Sequence, residues 1–174
     1  MAVESAETQI TTLPSVLVTD LDGRAHQLTD LVGQRACVIA FVCNHCPYVR
    51  WIESELGRIA RDFPEVAFVA INSNDVDAYP DDDVDGMREQ LARADWSFPY
   101  VIDQDQSVAR TFGAVCTPDF FVFSEDGALM YRGAMDDSRP SQEAPVNGEY
   151  LRAALSGSPL TGRPSLGCGI KWLN

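Results

Sequence analysis

At 174 residues the chain fits one domain and is long enough to bury a full core without disulfide or metal staples. Its 26 acidic against 13 basic residues give a net charge of −13, which excludes the basic footprint of a nucleic-acid binder and would repel an anionic membrane surface. Hydrophobic content of 45% and charged content of 22% are those of an ordinary soluble globular protein, and the acidity reads as a solubility device.

Met1 to Pro14 is polar and expected to be loose. It lacks the basic and apolar regions of a signal peptide, so a cytoplasmic location is expected. Ser15 to Thr19 alternates as a strand, and Asp20-Leu21-Asp22-Gly23 is a turn closing a hairpin onto Ala25 to Leu28. Thr29 to Arg35 reads as a connection. The β-branched apolar run Ala36 to Val42 predicts a strand buried on both faces, and with Cys43 included it is still far too short to span a bilayer. At Cys43 the chain is expected to turn into a helix, because Val49, Ile52, Leu56, Ile59 and Ala60 share one helical face.

A second buried strand follows at Val66 to Ile71, then a helix carrying Val84, Met87, Leu91 and Ala92. Next come a short strand at Tyr100 to Ile102 and a short helix through Val108, Ala109 and Phe112 that ends at Gly113. Phe120 to Phe123 and Leu129 to Arg132, joined through Asp126-Gly127, predict an antiparallel hairpin. Tyr150 to Leu155 is a last helix before a Gly/Pro/Ser-rich tail over 157–174. The order implies one α/β domain over 1–174, a sheet with helices on both faces.

The chemistry concentrates in Cys43-Asn44-His45-Cys46-Pro47, where a buried strand hands over to a helix. A thiol at a helix N-terminus meets unpaired N–H groups and the positive end of the dipole, both of which favour thiolate, the nucleophile of disulfide exchange. Two intervening residues bring the second sulfur within one turn. His45 can add charge or a hydrogen bond, and Pro47 suits a first helical turn, where its missing N–H costs little.

Zinc competes for such a pair but wants four Cys/His ligands, and here Cys37, Cys116, Cys168 and His26 are scattered singly. No metal is expected. Asp81-Asp82-Asp83-Val84-Asp85-Gly86 resembles the start of a calcium loop, but its twelfth position is Ala92, so Asp83 and Asp85 read as an acidic cap at a helix N-terminus. Cys37, inside the buried strand, reads as packing. Five cysteines, an odd number in a chain of this size, argue against a disulfide scaffold.

The strand–CxxC-Pro–helix unit, with Thr117-Pro118 before a later strand and hairpin, resembles the thioredoxin superfamily. Ala70-Ile71-Asn72-Ser73-Asn74-Asp75, Cys116-Thr117-Pro118-Asp119-Phe120-Phe121, Tyr131-Arg132-Gly133, Asp136-Asp137-Ser138-Arg139-Pro140 and Gly167-Cys168-Gly169-Ile170-Lys171-Trp172 narrow the resemblance. They resemble the peroxiredoxin-like branch of the AhpC/TSA redoxin family. The resemblance implies a thioredoxin fold with a central mixed sheet, Cys43 attacking, Cys46 resolving, and Thr117 and a cis Pro118 beside them.

It also implies a thiol–disulfide oxidoreductase that uses no cofactor and acts on a protein or small-molecule thiol or disulfide. The alternatives are a thiol peroxidase and a thiol-based sensor or binding module without turnover. Peroxiredoxins place Thr or Ser three residues before the reactive cysteine, whereas Ala40 precedes Cys43 and Cys43 precedes Cys46. Thioredoxin carries an acid beneath its pair, yet none occurs from Leu31 to His45, so a proton acceptor would come from elsewhere. Arg132 and Arg139 are candidate positive charges for a peroxide. Cys116, two residues before Pro118, is expected to face the same way as that proline, and Cys168 is a candidate resolving thiol in a mobile tail.

Overall fold

A computed structural model describes residues 1–174. Its strands are β1 (Ala2–Glu4), β2 (Leu17–Asp20), β3 (Ala25–Gln27), β4 (Cys37–Phe41), β5 (Ala67–Asn72), β6 (Tyr100–Ile102), β7 (Cys116–Thr117), β8 (Asp119–Phe123), β9 (Leu129–Gly133) and β10 (Leu166–Gly169). Its helices are α1 (Leu28–Val32), α2 (Pro47–Asp62), α3 (Val84–Ala94), α4 (Ser107–Phe112) and α5 (Glu149–Ser156), and Pro80–Asp82 forms a 3₁₀ turn before α3.

Seven strands form a mixed sheet in the order β3-β2-β6-β5-β4-β8-β9, with β4 parallel to β5 and antiparallel to β8. Every residue of β4 is buried, which is why its sequence is a continuous apolar run. Alternation along β4 splits the core into two layers. Val38 and Ala40 face the layer built with Val49, Ile52, Leu56 and Ile59 of α2, Met87 of α3 and Leu151 of α5. Cys37, Ile39 and Phe41 face the other, with Leu28 and Val32 of α1 and Val108, Ala109 and Phe112 of α4. Helices therefore cover both faces, as the strand–helix order requires.

Two differences from the sequence reading lie at the termini. The N-terminal segment is not loose: β1 pairs antiparallel with β10, and the Thr8 hydroxyl donates to the Phe112 carbonyl at 2.7 Å. The tail is likewise tied down, because β10 also pairs with β7, making a small sheet in the order β1-β10-β7. Strands of two to four residues rich in small side chains carry no readable alternation. The predicted strand ends one residue early, at Gln27, and Leu28–Val32, reaching into the predicted connection, forms the short helix α1, which buries both of its terminal residues.

Phe112 packs edge-on against Phe41, Phe121 and Phe123, with ring centroids at 5.2, 5.0 and 6.2 Å. Phe112→Ala leaves a cavity at the centre of that layer and is predicted to cost about 3–5 kcal/mol. Urea unfolding measures it; a loss below about 1 kcal/mol would show that the layer collapses onto the gap.

Candidate active site

β4 ends at Phe41, and the Val42 N–H extends the ladder by donating to the Ile71 carbonyl at 3.0 Å. Cys43, Asn44 and His45 then form a non-helical loop, and Cys46 is the N-cap of α2, with Pro47 in the first turn. Polar groups reaching in from α2, α3 and the 3₁₀ turn hold the loop. Gln90 Nε2 donates to the Cys43 carbonyl at 3.2 Å and Arg50 Nε to the Asn44 carbonyl at 2.8 Å. Asn44 Nδ2 donates to the Asp81 carbonyl at 2.8 Å, while its Oδ1 accepts from Arg93 at 2.7 Å. Arg93 in turn pairs with the buried Glu53 at 2.7 Å.

Thr117, the residue before Pro118, touches both sulfurs. Its hydroxyl lies 3.5 Å from Cys43 Sγ, and its carbonyl accepts from Cys46 Sγ at 3.4 Å. The Thr117–Pro118 bond is cis. Both sulfur-bearing residues are fully buried. A small cleft beside them is lined by Tyr48, Ile52, Pro118, Met135 and Leu166.

His45 is held by Asp82. Its main-chain N–H donates to Asp82 Oδ1 at 2.9 Å, its ring Nδ1 hydrogen-bonds Asp82 Oδ2, and the ring stacks on Tyr79 at 5.6 Å. Because a carboxylate only accepts, Nδ1 carries the hydrogen. Asp82 is completely buried and also accepts from Asn74 Nδ2 at 2.9 Å. Donor atoms of Cys43, His45 and Asp82 lie within 4.8 Å of one another, three donors where a structural zinc site closes with four.

No acid occurs from Leu31 to His45, but Asp82 brings a buried one within 4.8 Å of Cys43. The acidic run also supplies the expected helix cap: Asp83 caps α3 by accepting from the Gly86 N–H at 2.9 Å, and Asp85 lies in its first turn. Gly86 also permits the close seating of the 3₁₀ turn, since a Cβ there would lie 2.0 Å from the Asp81 carbonyl oxygen.

The helix begins at Pro47 and not at Cys43, which makes Cys46 its N-cap. Cys46 is lowered to about 5, chiefly by the hydrogen bond from Cys43 and also by bonds from Cys168 and Thr117, against the opposing effect of burial. Its N-cap position adds the positive end of the helix dipole. Cys43 is raised by its hydrogen bond to Cys46, by burial and by the nearby Asp82 charge. The two thiols therefore titrate as one pair, with a single thiolate beside a single thiol in the reduced site.

The remaining candidates separate. Thr117, not Cys116, faces the sulfurs, because adjacent strand residues alternate sides and Thr117 is paired with Cys168. Cys116 is buried and its thiol pushed up by desolvation. Cys37 packs in the α1/α4 layer, and burial pushes its thiol up to about 12. Arg132 does not reach the sulfurs: it is locked onto buried Asp119 at 2.6 Å and lies over the Phe121 ring. Arg139 sits in the partly exposed loop before α5 and makes no ion pair.

Solved structures share this architecture. An uncharacterized conserved protein from Geobacillus kaustophilus is 42% identical over 99% of this chain and 97% of its own, with a TM-score of 0.91. A secreted Mycobacterium tuberculosis disulfide oxidoreductase is 18% identical over 82% of this chain and 96% of its own, with a TM-score of 0.64. That likeness is one of fold. The thiol-disulfide oxidoreductase ResA of Bacillus thuringiensis is 22% identical over 144 residues, 80% of this chain and 74% of the relative. No helix is long and apolar enough to cross a membrane. Residues 11–132 match the AhpC/TSA family. With a mixed sheet flanked by helices and this match over most of its length, the chain belongs to the AhpC/TSA family and has a thioredoxin-like fold.

Proposed function

We propose that this protein is a thiol–disulfide oxidoreductase whose redox couple is Cys43 and Cys46. The observation that carries the reading is an enclosed pair of cysteines where α2 begins, both sulfurs in contact with Thr117 before the cis Pro118. Two electrons from the pair reduce a disulfide to two thiols. The thiolate displaces one partner sulfur to form a mixed disulfide, and Cys43 then attacks Cys46 and releases the second. Cys43 must lose its proton in that step, and Asp82 is the buried acceptor beside it. The partner is a disulfide or thiol on a protein or small molecule. The reading fits a compartment that keeps thiols reduced, such as the cytoplasm.

Cys43→Ser and Cys46→Ser should each abolish multiple-turnover reduction of a model protein disulfide, while oxidation of the wild type should consume both thiols reversibly. Turnover surviving in Cys46→Ser would contradict the assignment. A reversible disulfide without turnover would favour a sensor instead.

The lowered Cys46 value fixes the pH profile. Above about 5 the thiolate is present, so the exchange rate should stay flat through neutrality and fall as acid protonates Cys46. A rate that instead rises through the free-thiol range near ~8.5 would contradict it. Stopped-flow mixing with a small disulfide measures the profile.

Asp82→Asn should slow completion of exchange by about 100-fold, the usual contribution of a positioned base, and mixed disulfide should accumulate. Mass spectrometry of the quenched reaction reports it. An unchanged rate with no trapped intermediate would remove Asp82 from the mechanism.

Peroxide is predicted to react no faster than with a free thiolate of the same pKa, because Arg132 is committed to Asp119. A much faster peroxide rate that disappears in Cys46→Ser would favour a thiol peroxidase instead.

A further inference from the structure

We propose that Cys168 is a third redox thiol that forms an internal disulfide with Cys46, linking the enclosed Cys43–Cys46 pair to the surface through strand β10. The proposal rests on the redox couple assigned above. It adds a residue and a second disulfide to that couple.

Three observations converge on it. Register comes first: β10 lies antiparallel to β7 with Cys168 opposite Thr117, and cross-strand partners present their side chains on one face. Thr117 is the residue that touches both sulfurs, so the register delivers Cys168 to the same place. The Cys168 and Cys46 thiols are close enough that each shifts the other's ionisation, Cys168 favouring the Cys46 anion.

Access is the second. Cys37, Cys43, Cys46 and Cys116 are all buried, and Cys168 alone is partly exposed. A partner sulfur outside the closed protein therefore meets Cys168 before either member of the pair.

The seat of β10 is the third. A Cβ on Gly167 would lie 1.8 Å from the Thr117 carbonyl oxygen and 3.2 Å from Pro118 Cδ. Only glycine lets the strand approach the carbonyl that Cys46 also uses. On the other flank, a Cβ on Gly169 would come within 3.2 Å of Val3 in β1. The Gly-Cys-Gly sequence thus places one side chain, a thiol, against the pair.

The exchange balances without any further reagent. In the oxidised protein, Cys168 as thiolate attacks Sγ of Cys46, the Cys43–Cys46 bond breaks, and Cys43 leaves with the electron pair and takes up a proton. The reverse step returns the disulfide to Cys43 and frees Cys168. In the reduced protein, burial and the neighbouring Cys46 push the Cys168 thiol up to about 12, so it is a hydrogen-bond donor there. It becomes an attacking group only once Cys46 has been oxidised and its negative charge is gone.

The test is disulfide mapping of the full chain, oxidised with oxidised glutathione, acid-quenched and digested with trypsin under non-reducing conditions. Cys46 falls in the peptide 36–50 together with Cys37 and Cys43, and Cys168 in 153–171, so fragmentation of the linked peptides identifies the bridged sulfur as that of Cys46. Cys43→Ser should give the 36–50/153–171 cross-link as its main oxidised species, in a yield independent of protein concentration. Gly167→Ala in that background should lose the link. The same cross-link, in lower yield, is expected in the wild type, which guards against a Cys43→Ser chain that fails to fold.

Absence of the link from both chains, or a Cys46 recovered only as a glutathione adduct beside a free Cys168, overturns the proposal. The two readings fail separately. A Cys43–Cys46 disulfide that turns over substrate while no link to Cys168 ever forms sinks this inference alone. A link that forms in a protein without turnover sinks the oxidoreductase reading alone.

Discussion

An anionic sulfur enclosed in a protein core is tolerated only where fixed donors replace the water it has lost. Cys46 meets that condition through its neighbours. The Cys43 and Cys168 thiols both favour its anion, and the 16-residue helix α2 begins at its carbonyl end. Much of the chain's architecture serves this arrangement. β4 ends where the loop must start, α2 supplies the positive helix end, and the Thr117–Pro118 turn brings a hydroxyl and a carbonyl against the two sulfurs. A single proton shared within the pair then separates the roles of two chemically identical residues.

The surroundings reinforce that separation. Asp82 raises Cys43 by its charge and fixes His45 through two hydrogen bonds, so the histidine between the cysteines is turned toward the acid. Glu53, Arg93, Gln90 and Asn44 form a satisfied polar network behind the loop, tying its carbonyls and side chains to α2 and α3. No buried side-chain nitrogen or oxygen is left without a partner. Such a network is costly if one member is removed, which argues for a loop held in one geometry.

Much of the fold was legible in the sequence because its signals are long. The run from Ala36 to Val42 specified a strand covered on both faces, and the spacing of Val49, Ile52, Leu56 and Ile59 specified the face that α2 buries. The CxxC-Pro unit at their junction located the site. What was not legible depends on a few residues at element ends or on contacts far apart in the chain. A helix that starts four residues later puts Cys46, not Cys43, at its N-cap. Asp82 lies 37 residues beyond His45, and only the packing of the 3₁₀ turn brings them together. β1 and β10 are too short to show a period, so their pairing, and with it the position of Cys168, appears only in three dimensions.

The central claim is the distribution of one proton over two sulfurs, and a site-resolved titration tests it most directly. The Cβ chemical shifts of Cys43 and Cys46 in the reduced protein, followed by NMR across pH, report the ionisation of each thiol separately. The account predicts that Cys46 titrates at about 5 while Cys43 stays protonated through neutral pH. A Cys43 that ionises first, with Cys46 protonated through neutral pH, would contradict it.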